Sequence, residues 1–275
     1  MFKRVLLIRF KMPYVSAQIS DGLGNRFFQV ATMLGYSEKY GHTPTFVKPW
    51  IHSTNHIGPY GIEDYFPTIQ TIKLNQEWTL LEAPSDASYT YLELPHVHNN
   101  THLKGYFQTE KYFPKCGIPK PKLLTGLEIE YKNFAFLHVR RGDYLLEVCK
   151  HHYVNLENYY RYALAFFADS DTRILVCSDD IEWCKSNLIK KYGDLISEDR
   201  WEFLSSGASD YDTLRVMTVC GRGGICANST FSWWGAYWNV GRGHGGFYTM
   251  PAIWGYPPLP PAVDVHPTWV TMLPV

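Results

Sequence analysis

The segment His138-Val-Arg-Arg-Gly-Asp-Tyr144 places two guanidinium groups and a carboxylate directly after an apolar run, Phe134–Val139. A guanidinium is a rigid, two-pronged donor that matches phosphate oxygens, and it can offset charge developing on a departing pyrophosphate. Successive side chains on a strand face opposite sides, so Arg140 and Arg141 do not point the same way. One reaches forward and the other braces the sheet. The structural alternative is an ion pair of either arginine with Asp143, and both readings can hold at once. A second polar group, Ser178-Asp179-Asp180, follows the run Arg173–Cys177. A carboxylate there can accept from guanine N1–H and the 2-amino group and so select that base; the alternative is the cap of the next helix. A third group, Asn228-Ser229-Thr230, opens a helix with Phe231. Hydroxyls and free backbone N–H groups at a helix start attract an anion, and Phe231, Trp233 and Trp234 are placed to wall it. Plain capping with core aromatics is the alternative.

Other polar groups point less sharply. Gly22-Leu-Gly-Asn25-Arg26 lacks the third glycine of a dinucleotide loop and reads as a turn that brings backbone close to a ligand, with Asn25 as a polar contact. Asp169-Ser170-Asp171 matches a metal-holding D-x-D pattern but sits in a polar turn between a helix and a strand. His96, His98 and His102 have no flanking carboxylate and read as exposed loop residues. Six cysteines without a CxxC pair read as reduced core residues, so no metal is expected. Asp143 is the nearest candidate for a general base, with Glu147 and His151 as alternatives.

These groups need strands and helices to hold them. Val5–Phe10 is an apolar run bounded by charges and reads as a first strand. Phe27, Val30, Ala31 and Leu34 have helical spacing, which predicts a helix over Arg26–Tyr40 before a strand at Thr45–Val47. Pro49–Ser88 has no clear pattern. Tyr89–Leu94 and His102–Phe107 read as strands, and Pro114–Pro121 as a linker. Beyond it, Phe134–Val139, Arg173–Cys177 and Gly223–Ala227 read as strands, with a further short one at Ile196. Helices are predicted over Leu156–Ala168, Ile181–Tyr192, Asp210–Val219 and Phe231–Asn239. Strands alternating with helices imply an α/β chain with parallel sheets, whose ligands bind beyond the carboxyl ends of the strands. The three polar groups all fall at such ends, so they describe one shared site.

The chain has 275 residues, 26 basic and 26 acidic side chains and no basic run, which excludes a nucleic-acid or anionic-surface partner. Aromatic residues make up 16%, a mild pointer to sugar binding. The N-terminal apolar core, Val5–Ile8, is far short of the roughly 20 residues that cross a bilayer, and no small-residue cleavage site follows. A cytoplasmic location without a membrane span is therefore expected.

The set of motifs resembles the alpha-1,2-fucosyltransferases and, more broadly, the GDP-fucose-using glycosyltransferases. The residues that carry the resemblance are Gly22-Leu-Gly-Asn25 with Phe28 and Ala31; Gly105-Tyr-Phe-Gln108 with Tyr112-Phe113; His138 to Tyr144; Ser178-Asp-Asp180 with Trp183; Asp212, Met217 and Cys220; and Asn228 to Ala236. They run in family order over about residues 20–240. The resemblance implies a GT-B-like fold of two Rossmann-like domains facing across a cleft: an acceptor-side domain over residues 1–125 and a GDP-fucose-binding domain over 126–275. It implies inverting transfer of L-fucose from GDP-β-L-fucose, a co-substrate, to a glycan acceptor, with no metal and no cofactor. Arg140 would contact the GDP phosphates and Arg141 would support the site. Asp179 or Asp180 would hold guanine or ribose. Asn228, Ser229, Thr230 and Phe231, with Gly22 and Gly24, would complete the donor pocket, and Asn25 and His138 would lie near the transferred sugar. Arg26 stands where the family usually has glutamine, open to a phosphate contact or a salt bridge.

Overall fold

The computed structural model describes residues 12–52, 59–241 and 245–275. The expected strand at Val5–Phe10 lies outside them. The strand that feeds the glycine turn is instead β1, Tyr14–Ala17, which leads into helix α1, Leu23–Tyr40. Strand β2 (Thr43–Val47), the single turn α2 (Ile62–Tyr65), β3 (Gln70–Ile72), β4 (Thr79–Glu82) and β5 (Thr101–Lys104) follow. These five strands form a parallel sheet in the order β3-β2-β1-β5-β4.

The second sheet begins at β6, Phe134–Val139, every residue of which is buried. Helix α3 (Glu157–Ala165), β7 (Arg173–Ser178), α4 (Ile181–Tyr192), β8 (Trp201–Phe203), α5 (Asp210–Met217), β9 (Gly223–Ile225), α6 (Thr230–Val240), β10 (Phe247–Pro251) and β11 (Thr271–Leu273) follow. The sheet is again parallel, in the order β11-β10-β9-β6-β7-β8, with β6 paired to β7 over six residues from Phe134–Arg173 to Val139–Ser178. Numbered from β6, this is the Rossmann order 3-2-1-4-5-6, whose strand order reverses between β6 and β9. The first sheet reverses between β1 and β5. Ligands of open parallel sheets bind beyond the strand ends at such reversals.

Two Rossmann-like α/β units thus face each other, as the fold class anticipated. They are joined by an aromatic layer. Phe27 and Phe28 of α1 pack edge-on against Trp238 and tilted against Trp233 of α6, at 4.8 and 4.7 Å between ring centres, and Phe113 stacks on Trp234 at 5.3 Å. Gly24 makes the approach possible: a Cβ there would lie 2.5 Å from the carbonyl carbon of Thr230 and 2.6 Å from the backbone nitrogen of Phe231. At Gly24 the glycine turn therefore serves contact between the two units, and the turn also lines the cleft between them.

Several expectations need correction. Tyr89–Leu94 is not a strand, and Ile196 is buried in a turn, the short strand being β8. The Pro49–Ser88 stretch holds two edge strands. His102 is not an exposed loop residue: it is on β5, buried, with its ring stacked 3.7 Å from that of Trp50. Cys177, Cys184, Cys220 and Cys226 are buried, but Cys116 is exposed and Cys149 half-buried. Among the described residues no helix is long and apolar enough to cross a membrane.

Candidate active site

A cleft of about 1160 Å³ opens between the two strand-order reversals, and both units line it. Its C-terminal wall starts where β6 ends. Arg140 projects into the cleft, with Nη1 2.7 Å from Asp179 Oδ2 and Nη2 2.5 Å from Asp143 Oδ1. Burial works against its charge, but Asp179 and Asp143 outweigh that and hold it firmly protonated. Arg141 turns the other way. Its Nε lies 2.9 Å from Asp180 Oδ2, and its guanidinium sits 3.8 Å over the ring of Trp183. Arg140 is thus the forward cation and Arg141 the brace.

Gly142 explains how the carboxylate reaches this corner. A Cβ at that position would lie 2.4 Å from Asp179 Oδ2; without one, Asp179 also accepts from the Arg141 backbone N–H at 2.9 Å. Asp180 caps α4, accepting from the Trp183 N–H at 3.2 Å. In this structure both aspartates serve the arginines, and Asp180 is also the cap that the sequence offered as its alternative role.

His138, the fifth residue of β6, lines the cleft while only 4% exposed. Burial, with Arg140 nearby, pushes its pKa down to about 3, so the ring is neutral at physiological pH. Its Nδ1 is buried without a hydrogen-bond partner. The third strand end is arranged differently from expectation. Asn228 ties loops together, its Nδ2 donating to the carbonyls of His152 and Trp254 at 2.8 Å each. Ser229 caps α6 by accepting from the Phe231 N–H at 3.3 Å. Thr230 donates across the cleft to Asn25 Oδ1 at 3.0 Å, and Gln108 donates to the same oxygen at 2.9 Å. Asn25 therefore links the two units at the cleft floor. Phe231 lines the cleft, but Trp233 and Trp234 are fully buried in the inter-unit layer and do not wall it.

The cleft thus gathers Gly22, Gly24, Asn25, His138, Arg140, Asp143, Asp179, Asp180, Asn228, Ser229, Thr230 and Phe231. Arg141 supports it from behind. Arg26 goes elsewhere: it is buried, and donates from Nε to the Asp21 carbonyl at 2.9 Å and from Nη2 to the His52 carbonyl at 2.6 Å. Glu147 is exposed and paired with Lys150, and neither it nor His151 lines the cleft. Asp171 pairs with Arg222. Asp212 forms the capping box of α5 with Ser209. Among the described residues no group of three or more His, Cys, Asp or Glu is placed to hold a metal.

Sequence reasoning missed Asp21, Tyr89, Tyr106, Trp254 and, in the loop after β8, Leu204, Ser205, Ser206 and Ala208, all of which line the cleft. Position gives a signal for two of them: Tyr106 and the Leu204 loop follow parallel strands at their carboxyl ends. Trp254 arrives from the C-terminal segment, which crosses back to the first unit, where the Asp264 N–H donates to the Tyr89 carbonyl at 2.8 Å.

A family model described as glycosyl transferase family 11 matches residues 83–249. An alpha-1,2-colitosyltransferase of Escherichia coli is 24% identical over 262 residues, covering 82% of this chain and 88% of that protein. A galactoside alpha-(1,2)-fucosyltransferase 1 of Rattus norvegicus is 24% identical over 240 residues, covering 78% of this chain and 60% of that protein. Among solved structures, a mutant of Arabidopsis thaliana FUT1 in complex with GDP aligns over 87% of this chain and 70% of that chain, at 12% identity and a TM-score of 0.47.

Proposed function

The chain belongs to glycosyl transferase family 11 and is a glycosyltransferase, and from this we propose that it moves L-fucose from GDP-β-L-fucose to a hydroxyl of a galactoside acceptor in an α-1,2 linkage. The transfer inverts the anomeric centre and uses no metal or other cofactor. One observation carries the reading: Arg140 is held protonated by two carboxylates at the mouth of a cleft shared by both units. A fixed cation sharing one cleft with the start of α6 suits a pyrophosphate that gains charge as it leaves.

In this mechanism an acceptor hydroxyl attacks the anomeric carbon in line with the departing β-phosphate oxygen. Arg140 and the backbone N–H groups at the start of α6 stabilise the leaving group. Asp143 and Asp179 orient Arg140, and Arg141 with Asp180 and Trp183 fixes the start of α4. The neutral His138 ring offers one hydrogen bond to the sugar without adding charge. Asn25, held by Thr230 and Gln108, sits between donor and acceptor.

Calorimetric titration of GDP and UDP in excess chelator tests this without a choice of acceptor. Micromolar GDP binding, about −8 kcal/mol, with no response to UDP is expected. Absence of GDP binding sinks the proposal, and binding that requires a divalent cation sinks its metal-free form. A second reading has one observation in its favour: the colitosyltransferase match covers more of both proteins than the rat enzyme's does. Colitose is fucose without its 3-hydroxyl, so the donor would be the 3-deoxy GDP-sugar. Turnover of the two GDP-sugars side by side separates the readings.

A further inference from the structure

The displacement needs a group to take the acceptor proton, and the fold restricts where it can be. Inversion brings the nucleophile in from the side opposite the leaving group. Arg140 fixes the pyrophosphate on the C-terminal unit, so the base must stand on the N-terminal one. Of the carboxylates lining the cleft, Asp143, Asp179, Asp180, Glu182 and Asp210 stand on the C-terminal unit. The first four are ion-paired with Arg140, Arg141 or Lys185. Among the described residues, Asp21 alone of these carboxylates stands on the N-terminal unit. It follows β1, at the reversal of the first sheet.

A second observation points to the same corner. Among the described residues only two non-glycine backbones are left-handed, Asp21 at φ 61° and Phe107 at φ 53°. Such strain persists only where the surrounding structure imposes it, and it gathers at functional sites. Asp21 follows β1 and Phe107 follows β5, the two strands that flank the reversal. The two bends bring Asp21 and Tyr106 together at the cleft surface, close enough for the Asp21 charge to act on the Tyr106 hydroxyl. Burial, reinforced by the Asp21 charge, pushes the Tyr106 pKa up, so the phenol keeps its proton and can donate to the carboxylate. The Ser20 hydroxyl donates to Asp21 Oδ2 at 3.0 Å. Arg26 holds the Asp21 carbonyl, a backbone contact that any residue at position 21 would supply, and its charge also acts on the Asp21 carboxylate.

Resting on the fucosyl-transfer reading above, we propose that Asp21 is the general base of the reaction and that Tyr106 is its positioning residue. As the bond from the anomeric carbon to the β-phosphate oxygen breaks, its electron pair leaves with GDP. The acceptor oxygen bonds to the anomeric carbon, and its proton passes to an Asp21 carboxylate oxygen.

The decisive variant is Asp21→Asn. Asparagine tolerates the left-handed backbone as well as aspartate does, and its carbonyl can still accept from Tyr106, so only the base is removed. The assay is transfer from GDP-fucose to a panel of β-galactosides beginning with lactose, alongside GDP affinity and melting temperature. The expected result is a kcat lower by about 100- to 10,000-fold, with affinity and melting temperature held. Asp21→Gly relieves the backbone strain, so it should melt higher, lose turnover equally and recover part of it with added formate. Tyr106→Phe should lower kcat about tenfold with the donor KM unchanged. An Asp21→Asn variant within about threefold of wild-type kcat overturns the assignment, as does an Asp21→Gly variant that formate leaves inactive. Wild-type protein that transfers fucose to no galactoside overturns the fucosyl-transfer reading itself, a result distinct from an active Asp21→Asn variant.

Discussion

Gly142 has no functional group, yet the anion site depends on it. Alanine there would push the Asp179 carboxylate away from its 2.4 Å position, and Arg140 would lose its 2.7 Å partner. The carboxylate can swing outward, so the fold should survive while the guanidinium drifts. Gly142→Ala should weaken GDP binding by about 1.5–3 kcal/mol, the range of a charged hydrogen bond, at a nearly unchanged melting temperature. Arg140→Ala should go further, costing transfer about 3 kcal/mol of transition-state stabilisation; near-normal turnover there contradicts the role given to Arg140. His102 gives a different handle. Burial, with Lys104 nearby, pushes its pKa to about 4, whereas an unfolded histidine titrates near 6.5. The unfolded chain therefore binds a proton that the native state refuses, and this share of stability is lost as pH falls from about 6.5 toward 4. Urea midpoints at pH 7 and 5 should converge in His102→Phe relative to wild type. That Arg140 and Arg141 would point to different sides was readable from the sequence, while which of them faces the cleft came from the family resemblance. Asp21 was not readable, because its left-handed backbone is imposed by tertiary context and leaves no mark in residue type.

Helices α1 and α4 were readable because their apolar spacing is regular, as was β6, which is apolar throughout and buried on both faces. Tyr89–Leu94 misled because its alternation serves a different partner. The Tyr89 carbonyl accepts from the Asp264 N–H and the Tyr91 N–H donates to Asp264 Oδ2, both at 2.8 Å, so the segment docks on the C-terminal tail and not on a sheet. Strands β10 and β11 escaped notice because five and three residues leave little period to count. The glycine turn was read as an approach of backbone to a ligand; its approach to α6 went unread, because a glycine permits close contact without saying to what. Gly24 makes its approach to α6, and this can be tested. A Cβ would meet backbone atoms at 2.5 and 2.6 Å, which cannot swing aside as a side chain can. Gly24→Ala should therefore part α1 from α6 and cost about 1–3 kcal/mol, the usual penalty for overpacking. A fall in melting temperature together with weaker GDP binding is expected. A variant as stable as wild type would mean that the helices part freely.

Two facing Rossmann-like units invite the expectation of a hinge, because domains joined by modest polar interfaces move relative to one another. The interface here is of another kind. One continuous apolar core runs from Val15, Phe27 and Phe28 in the first unit to Phe136, Trp233, Trp234 and Trp238 in the second. The Trp238 indole donates to the Ile118 carbonyl at 3.1 Å, and the Trp233 indole to the Val265 carbonyl at 2.9 Å, so the connecting segment and the returning tail are pinned to α6 as well. Opening such an interface would expose several fully buried indoles and phenyl rings at once. The units should therefore melt together, in one calorimetric transition whose enthalpy matches the van't Hoff value. Trp234→Ala should lower the stability of both units by about 3–5 kcal/mol without splitting that transition. By the same reasoning the cleft should admit donor through loop adjustment and not by rotation of one unit against the other, so the radius of gyration in solution should be the same with and without GDP. Two separate transitions, or compaction on adding GDP, would show that the aromatic layer yields and that the two sheets work as a hinged pair.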